Sequence, residues 1–454
     1  MCKLTIVLYK HDLRIHDHPA LYEGAKVGKI LPVYIKEKKK KRTAKDVFID
    51  ETLKVLKSNF DKMNQSFLIL SGESKEILPF LISETGANQV NWNESYTKGE
   101  RLKDMELKEV INNMGINVNQ YNGKTLFNLN NIFNQSGSPY KIFTPFYKKT
   151  QQELVIKPLS EPVIDAYHYT GNFSSENIEK NNQKEWEKKL LKYWSAGEEA
   201  GISQLNYFLT NGLDDYKIGR DYPARDVVSK LSPYLAVGSL SVRRLYTELV
   251  FYEDQKRLNL EAFIRQLIWR DFSYYTLLHF PDFTEESLRE QYNNFPWLNE
   301  QIDIKAWKNG QTGYPFIDAA MRELWETGYM HNRARMVVGS FLVKHLLVDW
   351  KVGFTWFQDT LIDFDPANNA MGWQWVTGSG IDASPFFRVF NPLTQSEKFD
   401  PKAEYINQFV PEVKKLHEPS KLSKVKLDQL NIKLGQTYPC LLYTSDAADE
   451  QLYV

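Results

Sequence analysis

Short runs of β-branched and aliphatic residues alternate with helix-spaced apolar positions at the start of the chain. The runs at 4–9 (LTIVLY), 30–35 (ILPVYI), 67–70 (FLIL), 89–92 and 116–120 read as buried parallel strands. Between them, 47–60 and 75–83 carry apolar residues at helical spacing. This alternation predicts an α/β domain with a doubly wound parallel sheet over residues 1–125. Residues 126–185 lose the periodicity and are rich in Asn, Ser and Pro, which predicts a long connector. From 186 to 439 the spacing is helical almost throughout, most clearly at 241–254, 260–279, 317–327 and 333–350. No strand-like alternation persists there, so the second domain is predicted to be all-α.

Charge and cysteine content narrow the classes. Lys+Arg and Asp+Glu both total 57. A net charge of +0 excludes a globally polycationic nucleic-acid binder and leaves room for a local basic groove. Two cysteines, Cys2 and Cys440, exclude a disulfide scaffold and a multi-cysteine metal cluster, and suit a reducing compartment. The run at 4–9 is cut by Lys10 and His11, and the apolar stretch 336–348 by Lys344 and His345. Neither makes a signal core or a bilayer span, so a cytoplasmic monomer without a membrane partner is expected. The basic run Lys36-Glu-Lys-Lys-Lys-Lys-Arg42 reads as a solvated loop sooner than a nucleic-acid patch. Residues 440–454 resemble the in-frame translation of a transposase adapter used in sequencing libraries, and are expected to be foreign to the fold.

Familiar catalytic signatures are missing. Neither G-x-G-x-x-G nor a Walker A loop occurs, nor G-x-S-x-G, nor H-E-x-x-H. His11, His16 and His18 lie close together, but a turn after the first strand explains them more simply than a metal site does. The chemistry is concentrated between Arg333 and Arg388. Asp363-Phe-Asp-Pro-Ala-Asn-Asn-Ala-Met-Gly-Trp-Gln-Trp375 packs acids, amides and indoles into one stretch. Buried, such groups need polar partners or a ligand. The 14% aromatic content, with 11 Trp and 25 Tyr, fits either a large helical core or stacking on planar ligands.

The stretch from Trp373-Gln-Trp-Val-Thr-Gly-Ser-Gly through Asp400 closely resembles the photolyase/cryptochrome family. So do Ser229-Lys-Leu-Ser-Pro-Tyr-Leu-Ala-Val-Gly-Ser-Leu-Ser241, Leu267-Ile-Trp-Arg-Asp-Phe272, Thr312-Gly-Tyr-Pro315, Tyr329-Met-His-Asn-Arg-Ala-Arg335 and Lys10-His-Asp-Leu-Arg-Ile-His-Asp-His18. The resemblance runs from residue 1 to about 439, and is strongest to the class I-like cyclobutane pyrimidine dimer enzymes. It implies a Rossmann-like antenna domain over 1–125, a connector over 126–185, and a helical FAD- and DNA-binding domain over 186–439.

The resemblance also implies roles. Tyr216, Ser229, Leu231 and Ser232 would line the phosphate and ribose side of FAD, although Val228 stands where a Thr is common. Arg270 and Asn332 would flank adenine and flavin. Arg335 and Asp363 would pair at the isoalloxazine, with Asp365 near its polar edge and Asn369 beside N5. A neutral amide there favours the anionic hydroquinone, whereas plant cryptochromes carry an Asp that can supply a proton. Trp373, Trp350 and Trp297 match the electron-transfer triad. Trp269 and Trp375 would wall a flipped pyrimidine dimer, and Arg220, Arg333 and Arg388 would touch DNA phosphates. Enzymes for (6-4) photoproducts carry histidines at the places of Asn332 and Met336, so cyclobutane dimers are the expected substrate. Gln266, where such enzymes often carry Glu, is expected to alter contacts to the dimer. A light-driven carbon–carbon lyase is the function implied, with a cryptochrome photoreceptor or a (6-4) photolyase as alternatives. The antenna would be methenyltetrahydrofolate or 8-hydroxy-5-deazaflavin.

Overall fold

Five short strands form one parallel sheet in the order β3-β2-β1-β4-β5: β1 Leu4–Tyr9, β2 Lys29–Lys36, β3 Leu68–Ser71, β4 Gln89–Asn93 and β5 Asn117–Tyr121. Ile6 pairs with Leu31 on one side and Val90 on the other. In the computed structural model, residues 3–152, 156–176, 178, 183–250, 253–382, 388–414 and 431–442 are described, with backbone alone from 253 to 257. Helices α1 (Pro19–Val27), α2 (Ala44–Lys62), α3 (Ser74–Thr85) and α4 (Lys98–Asn113) alternate with the strands. Helix α2 starts at a capping box, where Thr43 and Asp46 satisfy each other's backbone N–H. Strands β1, β2, β4 and the edge strand β3 are mainly buried, but the other edge strand, β5, stays part-exposed, unlike the buried strand its apolar residues suggest.

The chain divides into two units, Met1–Thr210 with Ser229–Pro281, and Asn211–Val228 with Asp282–Val454. In the first unit, Leu31, Val33, Leu78, Leu81 and Val90 belong to a core cluster around the sheet. The connector is not wholly irregular. Helix α5 (Phe143–Gln151) buries Phe143, Phe146, Tyr147 and Thr150, a spacing of three, four and seven residues that fits one helical face. In the second unit, a larger cluster gathers Trp307, Phe341, Trp350 and Trp373.

One expected helix is broken. Instead of running through 333–350, it ends at Ser340. A single π-helical turn follows over Phe341–His345, Leu347 takes a φ of 50°, and Asp349 caps a new helix, Trp350–Thr360. The positive φ redirects the chain and starts Trp350 on a separate axis.

Just before the tail expected to be foreign, Tyr438 is buried and donates to Asp318 at 2.7 Å; within the tail, the Leu442 N–H donates to the Thr312 carbonyl at 2.9 Å. Residues 443–454 of that stretch lie outside the described residues. No helix among the described residues is long and apolar enough to cross a membrane.

Candidate functional site

In the second unit the helix Pro366–Thr377 begins at Asp365, whose carboxylate accepts from the Asn368 N–H at 3.0 Å and its side-chain amide at 2.8 Å. This cap fixes Asn369 in the first turn. The Asn369 side-chain nitrogen donates to the Phe354 carbonyl at 3.2 Å. A carbonyl only accepts, so the amide orientation is forced and the Asn369 oxygen faces the other way.

Arg335 binds Asp363 at 2.7 Å and the Met330 carbonyl at 2.8 Å. Burial disfavours the guanidinium, but Asp363 and the Tyr329 side outweigh it and hold Arg335 charged, above its ordinary range. Asn332 opens the helix Asn332–Ser340, and its amide lies 3.9 Å from the Met336 sulfur one turn on. The two residues expected to decide the substrate class are therefore neighbours on one surface.

Trp373 and Trp350 are buried in one apolar cluster, and half-exposed Trp297 packs against it. Trp373 lies 5.1 Å from Phe357 and 6.3 Å from Trp307, ring centre to ring centre. A Cβ on Gly353 would stand 2.1 Å from the Trp373 ring, so that glycine makes room for the indole. Between the indoles at 373 and 375, Gln374 is fully buried. It donates to the carbonyls of Phe283 (2.8 Å) and Glu286 (2.7 Å) and accepts from the Leu288 N–H. Sequence reasoning passed over this residue, although a glutamine between two buried-type indoles signals an internal anchor.

A cleft of roughly 510 Å³ in the same unit is lined by Lys217, Asp221, Tyr222, Arg333, Arg388 and Lys398, among others. Arg333 is held by Asp221 at 2.7 Å and lies over Phe399. Arg388 is exposed, sits 5.8 Å from the Trp375 ring, and has its carbonyl held by Lys344. Arg220 lies over the ring of buried Tyr216, at 5.7 Å.

The remaining site residues belong to the first unit. Ser229 accepts from Gln204 through its carbonyl, Lys230 takes a φ of 51°, and Leu231 is buried before Ser232 opens a short helix. In the helix Glu253–His279, Gln266 and Trp269 are half-exposed. Arg270 donates to the Lys124 carbonyl at 2.8 Å. Its neighbour Asp271 is fully buried and accepts from the N–H groups of Leu126 and Phe127. Burial pushes the Asp271 carboxyl up to about 7 against the pull of Arg270 and those two N–H groups.

The three clustered histidines go to three different carboxylates: His11 to Glu100 (2.6 Å), His16 to Glu198 (2.9 Å) and His18 to Asp12 (2.9 Å). His18 Nδ1 accepts from the Leu21 N–H and so caps α1. Among the described residues no cluster fit for a metal ion occurs. The basic run after β2 is tied down by acids, with Lys36 and Arg42 on Asp50 and Lys39 on Asp46.

A family model described as the FAD binding domain of DNA photolyase matches residues 263–453, and one described as DNA photolyase matches 5–163. The deoxyribodipyrimidine photo-lyase of Agrobacterium fabrum is 37% identical over 460 residues, 98% of this chain and 96% of that protein. Cryptochrome-2 of Arabidopsis thaliana is 33% identical over 479 residues, 100% of this chain and 78% of that protein. The crystal structure of a bacterial class III photolyase from Agrobacterium tumefaciens matches with a TM-score of 0.93 at 36% identity, covering 99% of this chain and 96% of that one. With a parallel-sheet unit, a helical region matched by the FAD-binding family model and a photo-lyase relative 37% identical over 96% of its own length, the chain belongs to the photolyase/cryptochrome family.

Proposed function

We propose that the protein repairs cyclobutane pyrimidine dimers in DNA by a light-driven reaction that uses reduced FAD. The observation that carries this reading is the Asn369 amide. One of its two N–H groups goes to the Phe354 carbonyl, which turns its oxygen the other way, able to accept from a protonated N5, and a neutral amide has no acidic proton to give. The donor set around it fits a flavin ring: part-exposed Arg335 with buried Asp363 supplies a fixed charge pair, and Asp365 caps its helix. These residues would hold the ring, with Arg270 and Asn332 flanking it and Tyr216, Ser229, Leu231 and Ser232 on the phosphate and ribose side. Bound and reduced, FAD under blue or near-UV light supplies one electron that reopens the cyclobutane ring and is then returned.

Residues 1–125 would serve the antenna, a folate or a deazaflavin, and 186–439 the repair chemistry, with 126–185 connecting them. Trp269, Trp375 and Gln266 would cradle the dimer outside the duplex, where a poorly stacked lesion costs less to extrude than a normal base. Arg220, Arg333 and Arg388 would bind phosphates, and the basic cleft in the second unit supports the last two. Buried Trp373 and Trp350 with half-exposed Trp297 would carry electrons inward from solvent to re-reduce the cofactor. At the Asn332–Met336 surface an amide and a thioether stand side by side. Neither donates a proton readily, which suits cyclobutane dimers over (6-4) photoproducts.

The test is illumination of the reduced holoprotein with two oligonucleotides, one carrying each lesion. Loss of the cyclobutane dimer alone is expected. Loss of the (6-4) lesion alone would overturn the substrate, and persistence of both would favour the signalling role of a cryptochrome.

A further inference from the structure

Helix α5 carries more than a connection. Its Phe143 lies flat on Trp269, with ring centroids 3.7 Å apart and planes 7° apart. Arg265, one turn before Trp269, places its guanidinium 4.8 Å from the Phe143 ring and 4.9 Å from the Tyr147 ring. Residues four apart share a helix face, so Arg265 and Trp269 are presented together, with Gln266 beside them. Arg265 is half-exposed. Among the described residues it has no carboxylate within ion-pair distance and donates no hydrogen bond. Contact with an aromatic face steadies a guanidinium without consuming its N–H donors.

We propose that Arg265 grips a backbone phosphate of the damaged strand beside the dimer, with Phe143 and Tyr147 as its mount, and that Phe143 also sets the plane of Trp269. This rests on the repair reading, which places the dimer against Trp269. The planar fork of arginine matches two phosphate oxygens, and the connector thereby becomes part of the lesion site. A purely structural clamp between α5 and the Glu253–His279 helix would instead show itself in stability alone.

Fluorescence anisotropy of the FAD-loaded full chain, with dimer-containing and undamaged oligonucleotides over a salt series, separates the two. Arg265→Gln is expected to weaken binding several-fold and to lower the slope of log affinity against log salt by about 0.9 for duplex or about 0.7 for single strands. FAD content and thermal midpoint should stay at wild-type values, and Arg265→Lys should restore the slope. Phe143→Leu should keep the slope but reduce the preference for the dimer. An unchanged slope in Arg265→Gln, beside a wild type that still prefers the dimer, overturns this inference alone. A weakening that merely tracks lost FAD or lost stability, unrescued by Lys, also overturns it. A wild type that binds both oligonucleotides equally removes the repair reading itself.

Discussion

Asn369 shows how one hydrogen bond decides what a side chain can offer. With one N–H committed to Phe354, its oxygen is turned the other way as an acceptor. Asn369→Asp would introduce a titratable proton at the same place. It is expected to reduce photorepair about tenfold or more, the scale on which a misplaced acid or base matters, with FAD binding retained. Repair yield per flavin checks this. The Asp271 carboxyl makes a pH prediction. Held at about 7 in the fold against an ordinary 3.8, it binds its proton more tightly folded than unfolded. Its contribution to stability is therefore full below about pH 4 and is lost as pH rises through 7. Asp400, pushed up to about 6, slopes the same way. Thermal midpoints should fall between pH 4 and 7, and Asp271→Asn should remove its share of that fall. At this scale the motifs identified the residues but not their partners. The carbonyls met by Asn369, Arg270 and Gln374 belong to segments tens of residues away or on other turns, and no local pattern encodes such meetings.

At the scale of elements, periodicity located the strands to within a residue or two, because burial on both faces leaves continuous apolar runs. It failed where geometry interrupts periodicity. The apolar spacing through 333–350 continues across a π turn and a left-handed Leu347, so one helix was expected where two exist. The Asp349 cap was the visible signal. Helix α5 was hidden for the opposite reason, since nine residues inside an Asn- and Pro-rich stretch dilute its pattern. The helices that position the indoles make two contrasting predictions. Trp350→Phe should block flavin photoreduction while leaving repair by prereduced protein largely intact. Gly353→Ala should do more, because a methyl group there collides with Trp373. It is expected to cost about 1–3 kcal/mol of stability, the usual penalty of overpacking, and to disturb repair as well. Thermal unfolding and light-induced absorbance changes distinguish the two variants.

For the whole molecule, a net charge of +0 conceals a basic cleft around Arg333, Arg388 and Lys398. DNA binding should accordingly weaken as salt rises, despite the neutral total. The two-part organisation was legible from the change of hydrophobic period after the connector. The division into units was less so, because 229–281 clusters with the sheet-bearing part although its own pattern is helical. Photorepair without net redox change is the central claim, and the most direct measurement counts reversed dimers per flavin under blue light while flavin absorbance is followed. Many dimers reversed per flavin, with the cofactor still reduced and no reversal in the dark, is the result predicted. One oxidised flavin for each dimer lost, or dimers untouched by a fully reduced and illuminated protein, would contradict it.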